Sequence, residues 1–175
     1  MSIVGAMDRG DAVGSRMNLL GSEKLAYTAG FLDGDGCIAI NYEKHDRCRL
    51  GFRVRVRISF TQHRLRRGVL DLLYEWIGSG TIAEYEHNDM AEYVIRDQPA
   101  VEQLLLSLQP FLVTKRDHAE AALRVIDLKR EGYSPESLER MRYYALLVRG
   151  LNRYPKRTNL DPVTTEALSR EGVVN

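Results

Sequence analysis

The chain has 175 residues, 44% hydrophobic and 28% charged, with a formal net charge of +1, the profile of one soluble globular domain with a normal core. It has no apolar run of about 18 residues to cross a membrane and no charged start followed by an apolar stretch to direct secretion. Cys37 and Cys48 are its only cysteines and form neither a disulfide framework nor a CxxC metal knuckle, so an intracellular protein of the cytoplasm or a host organelle, with two free thiols, is expected.

Residues 1–21 show no periodicity and carry four glycines. They read as a flexible leader before a single domain over residues 22–175. Ser22 is a candidate N-cap for a helix over residues 23–33. Ala26, Gly30 and Gly34 are spaced i, i+4, i+8 and line one face without bulk, where another backbone can approach closely. Leu25, Thr28, Phe31 and Leu32 anchor the other side. Gly34 and Gly36 end the helix and leave Asp33 and Asp35 at its C-terminal end. There the helix dipole is negative, and two carboxylates invite a cation.

Residues 37–42 read as a strand. From Arg49 to Phe60 the chain alternates strictly, with Leu50, Phe52, Val54, Val56, Ile58 and Phe60 on one face. Arg49, Arg53, Arg55 and Arg57 fall on the other face of a strand about 40 Å long. Residues 64–77 form an amphipathic helix with Leu65, Val69, Leu72, Leu73 and Trp76 inward. Segments 81–86 and 92–96 make a second hairpin around His87-Asn88-Asp89. Helices follow from Pro99 to Leu108, from about Arg116 with Thr114 and Asp117 as a capping pair, from Ser134-Pro135 to Gly150, and briefly after Asp161-Pro162. The order is α-β-β-α-β-β-α with further helices, an α+β domain.

Charge is unevenly placed along the chain. Nine Lys or Arg stand against two acids between Glu43 and Arg67, and arginine outnumbers lysine 20 to 5. A pI near 7.8 gives no sign of a nucleic-acid binder, but a strand face carrying repeated arginines does, because arginine suits bidentate contacts to phosphate and guanine. Two carboxylates beside such a face point to phosphodiester chemistry, in which Mg²⁺ is held by one or two carboxylates plus phosphate oxygens and water. One chain offers one such site; a small-faced helix pairing with its own copy would bring two together at a twofold axis.

The stretch AYTAGFLDGDG, residues 26–36, resembles the LAGLIDADG motif of homing endonucleases. The resemblance runs from about residue 25 to 168 and includes Phe60-Thr61-Gln62, Arg66-Arg67, Trp76-Ile77-Gly78, the segment LQPFL at 108–112 and Lys115. It is greatest with the single-motif branch that acts as homodimers. It implies the αββαββα homing-endonuclease fold with a curved antiparallel sheet, saddle-shaped over the major groove, and Mg²⁺-dependent cutting of both strands of a long pseudo-palindromic target across the minor groove to leave short 3′ overhangs. Mn²⁺ or Ca²⁺ can replace Mg²⁺, Ca²⁺ in a complex that does not cleave.

By the same resemblance Asp35 binds the metals, helped by the carbonyl of Gly34. Gln62 orders water, and Arg66 and Lys115 offset charge at the scissile phosphates. Base readout falls to Asn41, Glu43, His45, Arg47, Arg53, Arg55, Arg57, Ser59, Tyr85, Glu92 and Val94, with His63 a DNA contact rather than a base. Contact with the second copy falls to Ala26, Ala29, Gly30 and Asp33; Asp33 also holds the helix end. Double-stranded DNA and a second copy are the expected partners. Intron RNA, and a catalytically inactive DNA-binding protein on the same scaffold, are the alternatives.

Overall fold

The computed structural model describes residues 20–152. Residues 1–19 and the helix expected after Asp161-Pro162 lie outside them. The elements are α1 (Ser22–Asp35), β1 (Gly36–Lys44), β2 (Phe52–His63), α2 (Gly68–Ile77), β3 (Thr81–Tyr85), β4 (Met90–Ile95), α3 (Gln98–Leu108), α4 (Arg116–Glu131) and α5 (Pro135–Leu151). This is the expected order. The strands form one antiparallel sheet in the order β1-β2-β4-β3.

The helices cover one face of the sheet, where Ile38, Val54, Val56, Ile58, Phe60, Tyr93 and Ile95 are buried against Leu32, Leu73, Leu104 and Val125. Strand alternation decides which residues go there. An aromatic run ties the layers together: Phe31 of α1 sits 6.0 Å from Phe60, which sits 5.8 Å from Tyr93, itself 5.8 Å from Tyr74 of α2. The Tyr93 hydroxyl donates to the Ser79 carbonyl, and burial holds its pKa above the usual phenol range.

Local chemistry moved several boundaries. Gly21, not Ser22, caps α1, and Leu20 just before it already packs on the core. The helix runs on through Gly34 to Asp35 and stops at Gly36, where a Cβ would lie 2.5 Å from the Leu32 side chain. Residues 45–51 form the β1–β2 turn, so Arg49 leaves the strand and donates to the Tyr133 carbonyl at 3.2 Å. The helix expected over 64–77 is split into a 3₁₀ turn at 64–66 and α2, which ends at Gly78 in the left-handed region at φ 73°. The break swings Leu65 outward, to 90% exposure, and leaves Leu72 at the rim; Leu70, Leu73 and Ile77 fill the core instead.

The start of α4 departs from the expected pattern for a reason that bears on the site. Neither Thr114 nor Asp117 caps it; Lys115 stands at the N-cap without a side-chain bond, because the backbone amides of residues 113–115 are taken by Asp33 of α1. The start of α5 agrees: Ser134 and Ser137 form a capping box with Pro135 at the first helical position.

Candidate active site and nucleic-acid face

The pairing of Gly36 with Phe60 sets the end of α1 beside the end of β2. Two residues beyond Phe60, Gln62 donates its side-chain amide to Asp35 Oδ2 at 2.7 Å. Asp35 is exposed, so one carboxylate oxygen is engaged and the other is open. Asp33, two residues earlier, is fully engaged. Its Oδ2 accepts the amides of Val113 and Thr114 at 2.8 and 3.2 Å, and its Oδ1 accepts that of Lys115 at 2.8 Å. The Lys115 ammonium turns back to donate to the Asp33 carbonyl oxygen at 2.6 Å. The two acids at the helix end therefore have separate roles, and Lys115 is held at that end by both its backbone and its side chain.

Arg66 lies in the exposed 3₁₀ turn after Gln62, with no hydrogen bond or ion pair among the described residues. Its neighbours are committed elsewhere: Arg64 and Arg67 both pair with Glu84, and Arg67 also with Asp71 at 3.2 Å. His63 caps the turn, accepting the Leu65 amide on Nδ1 at 3.2 Å. Below the site His118 is 6% exposed. Burial, and then the Lys115 cation, lower its pKa against the opposing pull of Asp117, an Asn152 hydrogen bond and Asp33.

The sheet face away from the helices carries the other expected residues. Register places Asn41 beside Arg55, Glu43 beside Arg53, and Ser59 between Cys37 and Val94. Glu92 stands between Thr61 and Ala83, and Tyr85 beside Met90. Arg53 pairs with Glu43 at 3.3 Å, whereas Arg55 and Arg57 make no hydrogen bond or ion pair among the described residues. His45 and Arg47 lie in the turn at the far tip, where His45 Nδ1 is 3.6 Å from the Cys48 sulfur.

Four assignments are corrected. Ser59 and Val94 have the right parity but are only 3% exposed each, so they form the floor of the face and offer almost no surface to a duplex. Ala29 is fully buried in the chain's own core, on the side of α1 that carries Thr28 and Leu32, and cannot touch a second copy. The Asp33 carboxylate is bound within the chain rather than presented outward. Ala26 and Gly30 are exposed, and Cβ atoms added at Gly30 or Gly34 would meet nothing within 4 Å. Strand parity also puts Cys37, Ala39, Thr61 and Ala83 on the reading face; extending the alternation of Asn41 and Glu43 back along β1 would have found the first two.

Comparison with known proteins identifies the family. The family profile of the LAGLIDADG endonuclease matches residues 28–118, from α1 to the start of α4. The chain belongs to that family. It is 30% identical over 105 residues to DNA endonuclease I-CreI of Chlamydomonas reinhardtii, a match covering 60% of this chain and 63% of that protein, less than two thirds of its length. It is 29% identical over 151 residues to DNA endonuclease I-CvuI of Chlorella vulgaris, covering 86% and 93%. The crystal structure of I-CvuI with its target in the presence of Ca superimposes with a TM-score of 0.70 at 28% identity, over 87% of this chain and 97% of that one.

Proposed function

We propose that this chain is a homodimeric, Mg²⁺-dependent endonuclease that recognises a long pseudo-palindromic DNA target and breaks both strands, with the metals at the dimer interface. The observation that carries the reading is the position of Asp35. It is a half-open carboxylate at the end of a helix whose outer face is bare, held by Gln62 at the end of the arginine-bearing strand.

Among the described residues no group of three or more His, Cys, Asp or Glu could hold a metal ion. One protomer thus supplies one free carboxylate. The donor set fits a hard cation completed by a second copy's carboxylate, phosphate oxygens and water. The bare stripe of Ala26, Gly30 and Gly34 allows two copies of α1 to approach closely enough for that. A bound divalent cation supplies activation of water and charge neutralisation at the phosphate.

The remaining work belongs to the chain itself. Asp35 and the Gly34 carbonyl fix the cation's place, and Gln62 both holds Asp35 and can orient water without titrating. Arg66 and Lys115 place positive charge where negative charge develops on the scissile phosphate. Arg55 and Arg57 bring the duplex to the sheet. The relative I-CvuI has been crystallised with DNA targets in the presence of Mg or Ca, which supports duplex DNA and a divalent ion here.

The test is Asp35→Asn. It should bind target DNA with unchanged affinity in Ca²⁺, sediment as two chains per duplex, and cut neither strand in Mg²⁺. Cleavage by that variant, or one chain per duplex, would refute the reading.

A further inference from the structure

The two hairpins of the sheet differ in charge. The reading face of β2 carries Arg53, Arg55 and Arg57, whereas residues 81–95 contain Glu84, Glu86, Asp89 and Glu92 and no lysine or arginine. Glu84 points to the helix side and is neutralised by Arg64 and Arg67. Glu92 lies in the sheet on the reading face, half-buried, and no cation pairs with it among the described residues.

A carboxylate facing a polyanion cannot contact phosphate. In the major groove it can only accept a hydrogen bond from a base amine, and it is repelled by the acceptors of guanine and thymine. The setting of Glu92 favours that role. Its cross-strand neighbours Thr61 and Ala83 are short, so neither overhangs it. Val94, the next residue on the same face of β4, is buried and leaves the floor low. The Tyr85 hydroxyl donates to Glu92 Oε2 at 3.2 Å and pins that oxygen, which leaves Oε1 as the open acceptor.

Cytosine offers one donor, its N4 amine, with the paired guanine O6 on one side but only the C5 hydrogen on the other, whereas the adenine N6 amine has an acceptor on both sides. Adenine sets the N7 acceptor next to its N6 amine, where it would meet the second carboxylate oxygen. Arg55 and Arg57 lie farther from Gln62 along β2, hence farther from the cut, and their free guanidinium groups match guanine O6 and N7.

Resting on the endonuclease reading above, we infer that Glu92, held by Tyr85, is a specificity-determining residue that selects cytosine at one position of each half-site, nearer the cut than the guanines read by Arg55 and Arg57.

The experiment is selection from a randomised duplex library by the full-length protein in Ca²⁺, repeated with Glu92→Gln, Tyr85→Phe and Arg57→Ala. The wild type should enrich a site with a cytosine column in each half and guanines outside it. Glu92→Gln should lower the cytosine preference about tenfold and leave the other columns in place. Tyr85→Phe should weaken the same column, and Arg57→Ala an outer guanine column. If Glu92→Gln changes overall affinity with every column intact, or the affected column holds guanine or thymine, Glu92 is not a base reader. If the wild type enriches no sequence at all, the endonuclease reading falls with it; an enriched site without a Glu92-dependent column overturns this inference alone.

Discussion

Asp33 and Asp35 sit on opposite sides of the last turn of α1, two residues apart, with the same chemistry and different roles. Asp33 faces inward to the 113–115 segment and spends both oxygens on three backbone amides. Asp35 faces outward and accepts one side-chain amide. The helix dipole disfavours both. Asp33 is compensated inside the chain; Asp35 is left in need of positive charge from outside. A carboxylate satisfied by its own fold is a fastener, and the one left open at the edge of a basic face is the proposed site.

That contrast can be broken most sharply at Asp35. Asp35→Ala should reduce cleavage by more than about a thousandfold, a loss of about 4 kcal/mol of transition-state stabilisation. Its melting temperature should be unchanged or slightly raised, because an unfavourable helix-end charge is removed. Asp33→Ala should do the reverse first: calorimetry should show a loss of about 2–3 kcal/mol as three amides lose their acceptor. Cleavage should fall as well, because Lys115 loses its backbone tether, while Ca²⁺-dependent binding of target DNA stays close to wild type. Equal effects of the two alanines on stability would erase the distinction.

Gln62→Leu tests the link between the acid and the strand. It should slow single-turnover cleavage by about ten- to a hundredfold with a melting shift of no more than about 2 °C.

The smallest effect is expected beneath the fastener, at His118. Its pKa is lowered from 6.5 by burial and the Lys115 cation. The unfolded chain therefore binds the proton more readily, and stability, level above that pH, falls as pH drops through 6.5. Melting curves at about pH 7.5 and about pH 5.5 should show this slope, and His118→Gln should flatten it. A slope that survives the substitution would assign the acid sensitivity to other groups.

Much of this was legible in residue order, because strand alternation and helix spacing are local consequences of backbone geometry. The arginine run of β2, the small face of α1 and the Ser134-Pro135 start of α5 each carry their signal within a dozen residues. The family resemblance supplied Gln62 and Lys115, which lie 27 and 80 residues from Asp35 and which no spacing rule connects to it. What was missed depends on tertiary partners. Thr114 and Asp117 have the form of a cap, but a carboxylate 81 residues from Thr114 supplies the acceptor. Leu65 has helical spacing, but a 3₁₀ turn rotates it to solvent. Ser59 and Val94 have the right parity, but the depth of a residue on a curved face is a property of its neighbours, not of its alternation.

Strand β4 pairs with β2 only over residues 58–63. At Val56, one pleat farther out, the side chain of Gln98 stands in for the missing strand: its Oε1 accepts the Val56 amide at 3.2 Å and its Nε2 donates to the Val56 carbonyl at 2.7 Å, while the Lys129 ammonium donates to Gln98 Oε1 at 3.0 Å. Beyond that plug Val54 is itself only 1% exposed, so the edge stays covered and offers no template for an added strand. The outer half of β2, with the arginines proposed to meet the duplex, is thus closed along its edge by a side chain of α3 instead of a strand, and Gln98→Ala should open that edge and lower solubility.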